Sequence, residues 1–204
     1  MTISGNRNSM TFAQERARAG GHEPLIASAA LVGDDKEWPA GLILCRNSAG
    51  AWRPYDVAEA VVVGAGDGTE TEFAFDLGPD VIPGSVSIDD GVEEFTDLGT
   101  GALLGDGDTT PGTGTIDYAT GIGSITFKAA PADEAEIAVS VKHRPRAVLD
   151  EKTDTASAGT ALVVRHGTVK LSMLVTDAGT AEADPTAATA AIVRQLEAAG
   201  IWPV

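Results

Sequence analysis

The chain has 204 residues, 43% of them apolar and 22% charged, enough to bury a core in one domain or in two small ones. Thirty acidic against 14 basic side chains give a net charge of −16, which argues against nucleic acid as the main partner, and no stretch approaches the ~20 apolar residues a membrane helix needs. Residues 60–143 hold 16 Asp or Glu against 2 Lys or Arg, whereas the first 21 residues are net +2, so separate modules facing different surroundings are expected.

Residues 1–21 are polar and weakly patterned, without the apolar run of a secretory signal. They read either as a free tail or as an arm that orders on a partner. In the second reading Met10 and Phe12 are apolar anchors, and Arg7, Arg16 and Arg18 supply steering charge. Gln14 to Ala19 could form one turn of helix, too short to be stable in water.

Residues 22–59 read as short strands between turns at Gly33–Lys36, Pro39–Gly41 and Asn47–Gly50. Cys45 closes the apolar run Leu42-Ile43-Leu44-Cys45, the setting of a small buried hydrophobe rather than a nucleophile. A single cysteine makes no intrachain disulfide, as suits folding in a reducing cytosol.

Residues 60–143 carry a second set of strand signals. Thr69 to Phe75 alternates polar and apolar, Ala119-Thr120-Gly121 sits between two strand-like runs as a hairpin turn, and Glu136 to Val141 alternates again. Six or so short strands without a helix predict a small antiparallel β-sandwich. The stretch from Asp97 to Gly114 predicts a long exposed loop.

Residues 144–204 return to the first style. Ala161–Arg165 and Val169–Leu171 read as strands around a turn at His166-Gly167. Asp184 as N-cap, Pro185 at the first helical position and Gly200 as the stop predict a helix over 186–199, with Ile192, Val193, Leu196 and Ala199 on its apolar stripe. The terminal Trp202 is either a lid on the core or a contact with a neighbouring subunit. Trp38 and Pro39 are the other candidate subunit contacts, chosen for apolar character.

Chemistry-bearing motifs are weak. Gly64-Ala65-Gly66-Asp67-Gly68 lacks the G-x-G-x-x-G spacing and a following helix, so it reads as a glycine hairpin. The Asp-Gly loops at Asp89–Gly91 and Gly105–Asp108 lack the EF-hand spacing, and His22, His143 and His166 are scattered. No metal site, no cofactor and no catalytic residues are expected, and an enzyme is not.

Two separated stretches carry a resemblance. The first runs from Pro24-Leu25-Ile26 through Pro39-Ala40-Gly41-Leu42-Ile43-Leu44 to Trp52-Arg53-Pro54-Tyr55-Asp56. The second joins Ala147-Val148-Leu149-Asp150, Ala161-Leu162-Val163-Val164-Arg165-His166-Gly167-Thr168-Val169 and Leu196 to Ile201. As an ordered set they resemble the head decoration proteins of lambda-like tailed phages and prophages, the protein D family. Residues 60–143 depart from that pattern and resemble β domains scattered through phage tail and virion proteins.

The resemblance implies a mainly β protein with one C-terminal helix. Its β-clip-like body (22–59 and 144–204) is interrupted by an inserted domain (60–143) and preceded by a capsid-binding arm (1–21). It further implies synthesis in the host cytoplasm and a place on the outer surface of the virion. There, homotrimers bind the major capsid protein at local three-fold positions and stabilise the expanded head against DNA pressure. The insertion then projects outward, with host-surface contact as one role. The alternative is a receptor- or carbohydrate-binding virion module acting through that insertion.

Overall fold

The computed structural model describes residues 15–107, 110–180 and 183–204. The protein is mainly β, with a single α-helix near the C-terminus.

The body opens with β1 (Leu25–Ala30), β2 (Glu37–Trp38), β3 (Ile43–Arg46) and β4 (Trp52–Pro54). β3 and β4 form a hairpin, and the Asn47 side chain closes its turn by accepting the Ala51 N–H at 2.7 Å. Eight strands follow: β5 (Glu59–Ala65), β6 (Glu72–Asp76), β7 (Ser87–Asp89), β8 (Glu94–Asp97), β9 (Ala102–Gly105), β10 (Thr113–Ile116), β11 (Ile122–Thr126) and β12 (Glu136–Val141). The chain then returns to the body through β13 (Ala147–Leu149), β14 (Thr153–Asp154) and β15 (Thr160–Val169), and finishes with α1 (Ala190–Ala198) and β16 (Ile201–Pro203).

The body sheet has the order β1-β15-β13-β3-β4, with β16 parallel to β15, while β14 and β2 pair separately. Both faces of this sheet are covered. Ile43, Val148 and Val164 point into one cluster that includes Leu196 of α1. Their neighbours Leu44, Leu149 and Val163 point into another built around Trp38 and Trp52. Successive residues of a strand face opposite sides, so burial on both faces requires continuous apolar runs such as Leu42 to Cys45.

The eight inserted strands form one antiparallel sheet of order β5-β12-β7-β8-β9-β10-β11-β6. The expected two facing layers are the halves of a single curled, nearly closed sheet. β12 shows the cause in one line: Ile137, Val139 and Val141 are buried while Glu136, Ala138 and Ser140 face out. Phe95 and Phe127 meet edge to face at 5.0 Å in its core, which is separate from the two body clusters.

Several expectations change. The Asp97–Gly114 stretch is no simple loop, because β9 lies inside it and pairs with β8 and β10. β5 and β6 do not pair with each other across the Gly64–Gly68 turn; they are the two edges of the sheet. β15 runs unbroken through His166-Gly167, where a bulge against β1 leaves Arg165 without a partner. The helix begins at Ala190 rather than Thr186. Thr186 and Ala188 are held extended instead. The Thr186 carbonyl accepts the Thr176 N–H at 2.9 Å, the Ala188 N–H donates to Leu174 at 2.9 Å, and the Asp177 carboxylate accepts the Thr186 N–H. That ladder outweighs the N-terminal preferences of Asp184 and Pro185. The stop at Gly200 stands, with φ at +83°.

Candidate interaction surfaces

Residues 16–19 lie along the body, held by two isolated β-bridges and main-chain hydrogen bonds. Arg16 bridges Glu151 and Arg18 bridges Val169. The Ala17 N–H donates to the Asp150 carbonyl at 2.9 Å, the Lys170 N–H donates to the Ala17 carbonyl at 2.8 Å, and the Ala19 N–H donates to Thr168 at 2.9 Å. Alternation then sorts the side chains. Ala17 points into the core beside Val148 and Val164, while Arg16 and Arg18 reach the Asp150 carboxylate.

That carboxylate is fully buried, and it accepts Arg16 Nη1 at 2.9 Å and the Arg18 main-chain N–H at 3.3 Å, with Arg18 Nε at 3.6 Å. Arg16 also pairs with Glu151. A buried carboxylate is costly without such partners. Arg16 and Arg18 thus fasten the chain to the body, through bridged main chain and not a helical turn. Arg7, Met10 and Phe12 lie outside the described residues.

The three candidate subunit contacts separate. Trp38 is a correction: it is fully buried, and its indole N–H donates to Asp34 Oδ1 at 3.0 Å, so it offers no surface to a neighbour. Pro39 is half-buried. Trp202 is 38% exposed and packs edge to face on His166 at 4.9 Å and on His22 at 5.4 Å. Leu25 pairs with His166 in the β1–β15 ladder, and the Leu171 N–H donates to the Val204 carbonyl. Leu25, Leu171 and Val204 are all exposed, so this end of β15 carries an aromatic and aliphatic rim.

The insertion is joined to the body by polar contacts on both connecting strands. Glu59, at the start of β5, accepts the Ser48 N–H at 2.9 Å and the Ser48 hydroxyl at 2.6 Å, and faces Arg53 at 3.9 Å. The imidazole of His143, past the end of β12, is buried, with Nε2 2.8 Å from the Leu77 carbonyl and Nδ1 3.8 Å from Glu59. Arg146 makes a forked contact with Asp80, which holds the Asp80 carboxyl below the usual carboxylate range. A cleft of ≈ 450 Å³ opens beside this junction, between Ile82, Pro83 and Arg144 on one side and Gln195 and Ala198 on the other.

The acidic loops bind their own backbone. Asp90 Oδ1 accepts the Val92 and Glu93 N–H groups at 2.9 and 2.8 Å. Buried Glu93 accepts Gly112 N–H at 2.6 Å and Lys128 N–H at 2.8 Å. Buried Asp97 accepts Gly84 N–H at 2.7 Å, Gly99 N–H at 2.8 Å and the Tyr118 hydroxyl at 2.6 Å. Among the described residues no group of three or more His, Cys, Asp or Glu could hold a metal ion. Burial pushes the Cys45 thiol up to about 12, far from a thiolate at neutral pH. Sequence reading missed the structural roles of Glu93 and Asp97, since nothing in their spacing separates a buried acid from a solvated one. Asp150 had one available signal, the alternating Arg-Ala-Arg that answers it.

A scan against protein-family models matches none, and searches of curated proteins and of solved structures return no significant match.

Proposed function

We propose that this protein is a capsid decoration protein. Homotrimers bind the major capsid protein at local three-fold positions of the expanded phage head and cement it against the pressure of packaged DNA. The reading rests on the sequence resemblance, and one observation carries it further: the chain is fastened to the body at residues 16–19, so residues 1–14 start from a fixed point on a rigid sheet. In this reading residues 1–14 form the capsid-binding arm. Its main-chain groups can add to a strand of the shell protein, with alternate side chains choosing the register. Each arm alone binds weakly because ordering it is costly, but three on one trimer multiply affinity by about 10²–10⁴. Binding the expanded lattice and not its precursor favours the expanded state by mass action. In this reading the exposed rim around Trp202 is the surface offered to the neighbouring protomer, and the acidic insertion faces outward.

The test compares the full chain with residues 15–204 on expanded, undecorated heads. The full chain saturates them at fixed stoichiometry, and the shortened chain keeps its fold and loses binding by about 100-fold or more. Equal binding by the two refutes the arm; a monomer that ignores expanded heads refutes the function.

A second reading, carbohydrate or receptor binding through the insertion, is favoured by one feature. A groove of ≈ 470 Å³ lies between Asp90, Glu93, Asp106 and Lys128, with Val92 85% exposed at its rim. Saturable binding of the full chain on a glycan array, abolished by Lys128→Ala, selects this reading.

A further inference from the structure

Two guanidinium groups converge on one indole on the Trp38 side of the body sheet. Arg46 Cζ lies 5.0 Å and Arg165 Cζ 5.7 Å from the Trp52 ring centroid. Register and bulge bring them there. Arg46 and Trp52 are direct cross-strand partners in the β3–β4 hairpin. Arg165 is the extra residue of the β15 bulge, and bulges characteristically re-aim a side chain. Between them the sheet carries Ala147 opposite Leu44, and Ala147 and Trp52 belong to the same buried cluster. Trp52 itself is buried, so it is a fixed platform.

Among the described residues no carboxylate forms an ion pair at this platform. Elsewhere four of the described arginines pair with a carboxylate: Arg16 and Arg18 with Asp150, Arg53 with Glu59, and Arg146 with Asp80. Among the described residues neither Arg46 nor Arg165 has a carboxylate within ion-pair distance. Two like charges on one ring repel each other, and an anion between them converts that repulsion into attraction. Stacking on the indole pre-orients each guanidinium, leaving in-plane N–H donors that match the two oxygens of a carboxylate.

We propose that Arg46, Trp52 and Arg165 form a docking site for a carboxylate side chain presented by an acidic segment of a partner polypeptide. Neither the trimer nor the shell enters into this assignment. Among the described residues the chain places no carboxylate within ion-pair distance of either guanidinium, so the complementary charge is assigned to the partner.

The experiment uses the intact protein and NMR detection of the arginine Nε–Hε and tryptophan indole signals. The probe is the acetylated, amidated tetrapeptide of four glutamates, titrated at constant ionic strength. The expected result is a saturable shift of the Arg46, Arg165 and Trp52 signals, with a midpoint on the order of millimolar for so small a ligand. Arg165→Gln, an exposed substitution that leaves the fold intact, should weaken the peptide by about tenfold or more, the scale of one lost charge-assisted pair. Arg194→Gln, on the exposed side of the helix, should leave the titration unchanged. Shifts that grow linearly, that persist in Arg165→Gln, or that inorganic phosphate reproduces with the same midpoint would overturn the assignment.

Discussion

Asp150→Ala is the sharpest test of how the chain is anchored. The substitution removes a fully buried carboxylate that accepts Arg16 Nη1 at 2.9 Å and the Arg18 N–H at 3.3 Å. Hydrogen bonds to a charged group are worth about 1.5–3 kcal/mol each. Stranding a wholly buried partner costs about 3–5 kcal/mol, but Arg16 and Arg18 are 31% and 35% exposed and recover part of their hydration. The net loss is about 2–3 kcal/mol. For a body on the order of 100 residues, each kcal/mol lowers the transition by about 4 °C, giving a fall of about 8–12 °C in calorimetry. The insertion has its own core, so its transition is an internal reference and should not move. Amide exchange supplies the second readout: Ala17 and Ala19 lose protection, because their partners on Asp150 and Thr168 no longer hold the segment in place. Asp150→Asn keeps an acceptor for the Arg18 N–H and should lose about half as much. A shift under about 2 °C with Ala17 still protected would show that the segment is held by the Ala17 packing alone.

Further outcomes can be checked one at a time. Cys45 should resist thiol reagents at pH 8 and react only as fast as the body unfolds; rapid labelling of the native protein would contradict its burial. Gly121→Ala should cost about 3 kcal/mol or more in the insertion transition alone, because φ is +78° and an added Cβ would meet the Gly78 carbonyl oxygen at 1.9 Å. Gly68→Ala, with φ at +73° and open space around it, should cost only about 1 kcal/mol; equal losses would show that the Gly78 contact is irrelevant. Asp80 titrates low because of Arg146, so its contribution to stability is fully present above the ordinary value of about 3.9 and is lost as pH falls through its lowered folded value. Arg146→Met should bring the Asp80 carboxyl back towards the ordinary range in an NMR titration and remove that acid-labile component; an unmoved midpoint would refute the pairing.

Much of the architecture was legible in the residues because local rules and global packing agree there. Glu136 to Val141 alternates cleanly, and each apolar position is buried. Leu42 to Cys45 is apolar throughout because its sheet is covered on both faces. Gly200 ends the helix through a backbone conformation that glycine adopts without strain. Where reading failed, a distant partner had overridden a local preference. Asp184-Pro185 is a sound helix start, yet Leu174 and Thr176 draw the following residues into a ladder. His166-Gly167 looks like a turn, yet β1 and β16 pair on either side of it and hold it in one long strand. Trp38 looked like a surface tryptophan until Asp34 satisfied its N–H and the sheet closed over it.

The order of residues, taken alone, determined a mainly β chain with one late helix and an acidic block set apart from a nearly neutral remainder. Those properties follow from side-chain periodicity, turn chemistry and charge count, all of which act over a few residues. Only the tertiary structure decided that Arg16 and Arg18 belong to a buried carboxylate 132 or more positions away, and that Arg46 and Arg165 share an indole. It also decided that of the three candidate subunit contacts Trp202 stands exposed while Trp38 is sealed inside. Burial and pairing are set by which strands lie side by side, and that depends on contacts between segments far apart in the chain.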